Sequence, residues 1–246
     1  MVVPLHMGWR NVLFANWPVD PETVRPHVPE ALALDTFDGD AWLSVVPFTN
    51  VDVRPDAAPP GTGLPLPELN LRTYVSDRGG DGGGDDGDRD GGDADGRPGV
   101  YFFSLDAQGI LSVLGARAFH YLPYYYARIS LSAADGGVEF RSRRVHPGAR
   151  PVQFRATYGP TGEQFRADDG SLAEFLTERY RYYTEDTAGA IRYADIDHEP
   201  WALFDADATF ETNTLFRANC FDPPESEPVH FYSPGVDVVA SKSKRR

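Results

Sequence analysis

Residues Glu68-Leu69-Asn70-Leu71-Arg72-Thr73-Tyr74-Val75 place their side chains in two unlike sets with a period of two. Successive side chains of a β-strand point to opposite faces, so this segment reads as a strand. Leu69, Leu71, Thr73 and Val75 share one face, and Glu68, Asn70, Arg72 and Tyr74 share the other. Runs rich in β-branched and aromatic residues recur at Trp9–Trp17, Ala41–Val53, Val100–Ala107, Tyr124–Leu131, Val138–Val145, Val152–Tyr158, Ile191–Ile196, Trp201–Phe210 and Val236–Ala240. Asp135-Gly136-Gly137 makes Tyr124–Leu131 and Val138–Val145 a hairpin. Pro47 bends its strand, and Pro55 to Pro67 reads as a proline-rich loop.

Helical signals are fewer. Asp20-Pro21-Glu22 opens a short helix that stops near Pro29. Ile110, Leu111, Leu114, Ala118 and Tyr121 recur at helical spacing over Gln108 to Tyr121. Ser171-x-x-Glu174 is a capping box for a helix over Leu172 to Tyr183, and Thr212 to Ala218 suits another. The fold class is mainly β (α+β): a mostly antiparallel sheet, closed or folded on itself, with a few peripheral helices. Pattern alone does not choose between a barrel and a sandwich.

One β-rich domain over residues 1–246 accommodates this length. No apolar run is long enough for a membrane span, and the start lacks the pattern of a signal peptide. Cys220 is the only cysteine, so a cytoplasmic location is expected. The net charge of −14 repels nucleic acid and anionic membranes, so neither is an expected partner. Arginine supplies every basic group before Lys242, and aspartate outnumbers glutamate by 25 to 12. This balance suits a halophilic protein in a salt-rich cell, or a genome biased toward Arg, Asp, Gly and Ala codons. Residues 76–97 are almost wholly Gly, Asp and Arg, and are expected to form a disordered surface insertion. Residues 241–246 read as a basic, flexible tail.

The polar face of the 68–75 strand offers a carboxylate, an amide, a guanidinium and a phenol in one row. It suits a pocket wall, with Arg72 free to take a substrate carboxylate. It equally suits the wet side of a half-exposed strand, with Glu68 and Arg72 paired. The tyrosines from Tyr121 to Tyr126 suit a pocket or a core. No histidine has metal-site spacing, and no metal or cofactor is expected. Asp86-x-Asp88-x-Asp90-Gly91 imitates a calcium loop, but Arg97 stands where the loop needs Glu. Cys220 has no evident activating partner.

Many ordered motifs together resemble one family. They are Pro18-Val19-Asp20, Leu34-Asp35-Thr36-Phe37-Asp38-Gly39, Ala41-Trp42, Pro47-Phe48, Glu68 to Val75, Pro98 to Ala107, Leu122-Pro123-Tyr124, Glu178-Arg179-Tyr180, His198-x-Pro200-Trp201 and Tyr232-Ser233-Pro234. The chain resembles the YqjF-like family, domain of unknown function 2071, in the acetoacetate decarboxylase-like superfamily. The resemblance implies a large mixed sheet curled into two barrel-like halves around a pocket. The decarboxylase pattern Gly-Arg-Glu then Pro-Lys-Lys is matched by Gly115-Ala116-Arg117-Ala118, with one extra residue and Ala118 in place of the glutamate, and by Pro123-Tyr124-Tyr125. Tyr124 falls on the Schiff-base lysine, and no lysine precedes Lys242. A phenol cannot form a Schiff base.

The expected function is to bind or act on a small polar organic molecule without Schiff-base decarboxylation. The candidate ligand-binding residues are Glu68, Asn70, Arg72, Tyr74, Arg117, Tyr124 and His198. Arg72 and Arg117 would hold an anionic group, Tyr74 and Tyr124 would donate hydrogen bonds, and Glu68 would accept or carry a proton. The alternative is a non-catalytic interaction or assembly module acting through its surface. Oligomeric state is open.

Overall fold

The computed structural model describes residues 4–78, 96–109 and 121–246. The centre of the Gly/Asp-rich insertion, most of the expected helix over 108–121, the calcium-like loop and Arg117 lie outside these residues. Among the described residues thirteen strands form one sheet. They are β1 (Leu5–Val19), β2 (Leu32–Leu34), β3 (Ala41–Pro55), β4 (Leu64–Asp77), β5 (Pro98–Ala107), β6 (Tyr124–Ala134), β7 (Gly137–Arg144), β8 (Gln153–Phe165), β9 (Arg181–Glu185), β10 (Ile191–His198), β11 (Leu203–Asn213), β12 (Val229–Ala240) and β13 (Lys244–Arg245). Among the described residues three short α-helices accompany them: α1 (Pro21–Val24), α2 (Leu172–Thr177) and α3 (Leu215–Ala218). Most pairings are antiparallel, but β5 runs parallel to both β6 and β9.

The sheet closes on itself twice. Along one path β5 reaches β12 through β9 and β10. Along the other it reaches β12 through β6, β7, β8 and β11. Both rings return through β12–β1–β3–β4–β5, which forms a wall common to two barrels. The period of two therefore feeds two cores. On β1, Leu13, Ala15 and Trp17 enter the second barrel, while Val12 and Phe14 enter the first. On β3, Ala41, Leu43 and Val45 face one way, and Trp42, Val46 and Phe48 the other. On β4, Leu69, Leu71 and Val75 pack in the second barrel. The polar row from Glu68 to Tyr74 is turned into the first. A solvated outer face for this row is thus excluded: Glu68, Asn70 and Tyr74 are buried.

Most of the expected strands form, several of them longer than the pattern suggested. The proline-rich loop ends early, because β4 begins at Leu64. The expected helix from Leu172 to Tyr183 stops at Thr177. The Ser171 hydroxyl caps it by accepting from the Glu174 N–H. Its last carbonyls are claimed by other elements: Leu176 O accepts from Arg72 and Tyr74, and Thr177 O accepts from the Trp201 indole. Tyr182 and Tyr183 then pair with Val100 and Tyr101 of β5, so strand pairing overrides the helical periodicity. In the C-terminal segment, Lys244 and Arg245 pair with Tyr193 and Arg192, and Arg246 meets Asp77 at 2.8 Å.

The contact between β12 and β1 depends on Gly235. Its φ is +133°, and an added Cβ would lie 1.9 Å from the Trp9 carbonyl oxygen. Gly235→Ala is expected to destabilise the fold by about 2 kcal/mol or more, read as a lowered urea midpoint. A loss under about 0.5 kcal/mol would mean that β1 can recede from β12 with little strain.

A buried ion pair closes the β5–β6–β7 side of the second barrel. Arg144 Nε donates to Asp106 Oδ1 at 2.6 Å, with side-chain exposures of 3% and 0%. The guanidinium lies 4.0 Å from the centre of the Tyr125 ring.

Candidate functional site

The first barrel contains a cavity of about 470 Å³. Its walls are mainly apolar and aromatic, including Trp9, Phe14, Phe48, Phe102 and Trp201. Into this surface project Glu68, Asn70 and Arg72 from β4, Asn50 from β3, Tyr124 from β6 and His198 from β10. Five of the seven residues singled out from sequence therefore meet in one cavity. Tyr74 does not line it. Its phenol lies behind the wall, 2.7 Å from Ser44 Oγ and 2.9 Å from Leu176 O, where it anchors α2.

Glu68 sits opposite Ala107 on β5, and Tyr124 on β6 sits opposite Leu105. The short Ala107 side chain leaves room for Tyr124 to reach across β5. Tyr124 Oη donates to Glu68 Oε2 at 2.8 Å, and Asn50 Nδ2 donates to the same oxygen at 3.2 Å. Burial pushes the Glu68 carboxyl up to about 7 against these donors, with the Asp106 charge adding to the rise. The Tyr124 phenol is pushed well above its ordinary value by burial and by the Glu68 charge. It therefore stays protonated and acts as a hydrogen-bond donor. The Oδ1 atoms of Asn50 and Asn70 are buried without a hydrogen-bond partner among the described residues.

Four residues along β4, Arg72 lies about 13 Å from Glu68 between Cα atoms. The two do not pair, contrary to the simplest reading of the strand. Arg72 Nη2 donates to Leu176 O at 3.2 Å, and its Nε is buried without a partner among the described residues. The guanidinium lies 5.5 Å from the Phe14 ring centre and 5.8 Å from that of Tyr74. No carboxylate of a described residue pairs with it. Arg179 and Arg181 also line the cavity, but Asp35 and Asp195 neutralise them at 2.7 and 2.6 Å. Arg72 is thus the one lining cation lacking an acidic partner among the described residues.

His198 packs against Tyr180 and Trp201, with ring centres 4.7 and 5.0 Å away. Its Nδ1 donates to Glu199 O at 2.8 Å, which leaves Nε2 as the lone-pair atom. That atom has no hydrogen-bond partner among the described residues. Burial lowers the pKa of the ring, which keeps it neutral. Trp9 and Trp201 stack at 5.9 Å with 12° between their planes. Trp9, Asn50, Arg179 and Arg181 were not singled out from sequence. Asn50 follows the bend at Pro47 on the same β3 face as Phe48, and only the register of β3 on β4 brings it to Glu68. Arg179 and Arg181 were hidden by the expectation that they lay on a helix. Among the described residues, no group of three His, Cys, Asp or Glu side chains could hold a metal, and no helix is long and apolar enough to cross a membrane.

The family model DUF2071, described as an uncharacterized conserved protein, matches residues 6–237. The uncharacterized protein YqjF of Bacillus subtilis (strain 168) is 40% identical over 237 residues, covering 96% of this chain and 89% of that protein. Among solved structures, an acetoacetate decarboxylase-like enzyme from Sphingomonas wittichii RW1 superposes with a TM-score of 0.64 at 14% identity, covering 99% and 92% of the two chains. The enduracididine biosynthesis enzyme MppR, complexed with pyruvate, gives a TM-score of 0.63 at 14% identity over 100% and 91%. At these identities the structural likeness concerns the fold: a mixed, mostly antiparallel sheet of the acetoacetate decarboxylase-like kind.

Proposed function

The chain belongs to the DUF2071 family of uncharacterized conserved proteins, and from that premise we propose that its cavity takes a small organic acid with a largely apolar body. The acid's anionic group sits at Arg72, and Glu68 with Tyr124 forms a proton-carrying end. The observation that carries this reading is the Arg72 guanidinium, which lines an apolar cavity and has no acidic partner among the described residues. An uncompensated cation in low dielectric is costly, and a bound carboxylate offsets that cost through two parallel N–H···O bonds. MppR, which shares the fold, takes pyruvate in its complex, and pyruvate is a small carboxylate.

Any reaction on this acid proceeds without a Schiff base. Tyr124 occupies the position that the family resemblance assigns to the amine, and neither Lys242 nor Lys244 lines the cavity. Glu68 is suited to give or take a proton near neutral pH, because its carboxyl titrates at about 7.

The test is a thermal-shift series in molar KCl with keto, hydroxy, aliphatic and aromatic acids on wild type and Arg72→Ala. An acid at a hundredfold excess over its Kd is expected to raise the wild-type Tm by about 5–10 °C, and to leave Arg72→Ala unmoved. Equal shifts in both proteins would remove Arg72 as the anchor. No shift with any acid would favour a module acting through its surface.

A further inference from the structure

The two ends of the cavity ask for opposite hydrogen-bonding partners. Around Glu68 three side chains turn a donor toward the carboxyl. The Tyr124 hydroxyl and the Asn50 amide donate to Glu68 Oε2, and the Asn70 amide also bonds the carboxyl. The charged group they surround is the Glu68 carboxyl, which lines the cavity. Asn50 Oδ1 and Asn70 Oδ1 are buried without partners among the described residues, on side chains of residues that are 7% and 3% exposed. At the other end the Arg72 guanidinium lines the cavity with no acidic partner among the described residues.

We propose that the ligand is bipolar, with a carboxylate at Arg72 and an amino group at the Glu68–Asn50–Asn70 end. This deepens the organic-acid reading and rests on it. A protonated amine is the cationic complement of the Glu68 carboxylate, as a ligand carboxylate is of the Arg72 guanidinium, and both residues line the one cavity. A ketone or a bare methyl group offers no donor there. The apolar walls between the two ends suit a methylene chain, and about 13 Å of strand separates the two anchoring Cα atoms.

The groups facing the Glu68 carboxyl are Tyr124 from β6, Asn50 from β3 and Asn70 on its own strand, with Asp106 of β5 acting through the wall. Among these Asp106 carries the only competing charge, and Arg144 pairs with it. Between pH 6 and pH 8 the fraction of ionised Glu68 therefore rises about tenfold around its midpoint of about 7.

The experiment is calorimetric titration with three acids built on a six-carbon chain, 6-aminohexanoate, hexanoate and 5-oxohexanoate. It uses the full chain as wild type, Glu68→Gln and Arg72→Ala, at pH 6 and pH 8. The amino acid is expected to bind tightest and to gain about tenfold in affinity from pH 6 to pH 8. Glu68→Gln is expected to weaken the amino acid at least tenfold and to abolish its pH dependence, while Arg72→Ala weakens all three acids. Hexanoate or the keto acid binding as tightly as the amino acid would overturn the bipolar ligand while keeping the anchor at Arg72. So would a keto-acid affinity that falls as pH rises, since Glu68 would then be donating its proton to the ligand. Binding of all three acids unaffected by Arg72→Ala, or binding by none, would remove the organic-acid reading itself.

Discussion

Asp106→Ala is expected to lower the stability of the fold by about 3–5 kcal/mol, the usual effect of stranding one member of a buried ion pair. The Arg144 side chain is 3% exposed, its Nη2 has no other partner among the described residues, and Nε loses its acceptor at 2.6 Å. Stacking on Tyr125 holds the guanidinium in place but supplies no counter-charge. Replacing both residues, as Asp106→Leu with Arg144→Met, is expected to recover most of the loss, because two desolvation penalties disappear together. The measurement is the urea midpoint at unchanged m-value for wild type, both single variants and the double variant. A single variant that loses under about 1 kcal/mol would show that water reaches Arg144 when Asp106 is gone.

Glu68→Gln is expected to make the protein more stable at pH 8, not less. Burial raises the Glu68 carboxyl from 4.5 to about 7 in the folded chain. A carboxyl that holds its proton more tightly when folded contributes its full stability below the unfolded value. That contribution is lost as pH rises toward and through about 7. The difference between the two values corresponds to about 3 kcal/mol at pH 8. Glutamine keeps an acceptor for the Tyr124 hydroxyl and has no charge to desolvate. The wild type should therefore lose stability between about pH 5 and pH 8 relative to Glu68→Gln, and the two should converge near pH 4. Parallel stability curves across that range would mean that Glu68 is already compensated in the fold. A group that weakens the fold at neutral pH and lines a cavity is the usual mark of a site kept for use.

Much of this arrangement was legible in the sequence. The alternation from Glu68 to Val75 separates the residues of two cores on pattern alone. It leaves open whether the polar set faces water or a cavity. That choice depends on the β4–β5 and β10–β12 pairings, which join distant segments and leave no local signal. The helix expected over Leu172 to Tyr183 ends at Thr177 because a tertiary pairing of Tyr182 and Tyr183 outweighs local propensity. Tyr74 groups with Arg72 by strand parity alone. The Ser44 hydroxyl and the Leu176 carbonyl instead hold its phenol behind the cavity wall. Asn50 goes unnoticed because its importance lies in the register of β3 against β4.

The common wall has an effect on how this chain can change over generations. Its inner leaf toward the second barrel, built from residues such as Leu13, Val45, Leu69 and Leu71, is fully buried hydrocarbon. That leaf keeps the strands in register whatever stands on the opposite leaf. The cavity side can then exchange a charge for an amide, with the scaffold held from behind. Innovation and upkeep are housed back to back on the same strands, so a new chemistry can be tried on one leaf while the other preserves the fold.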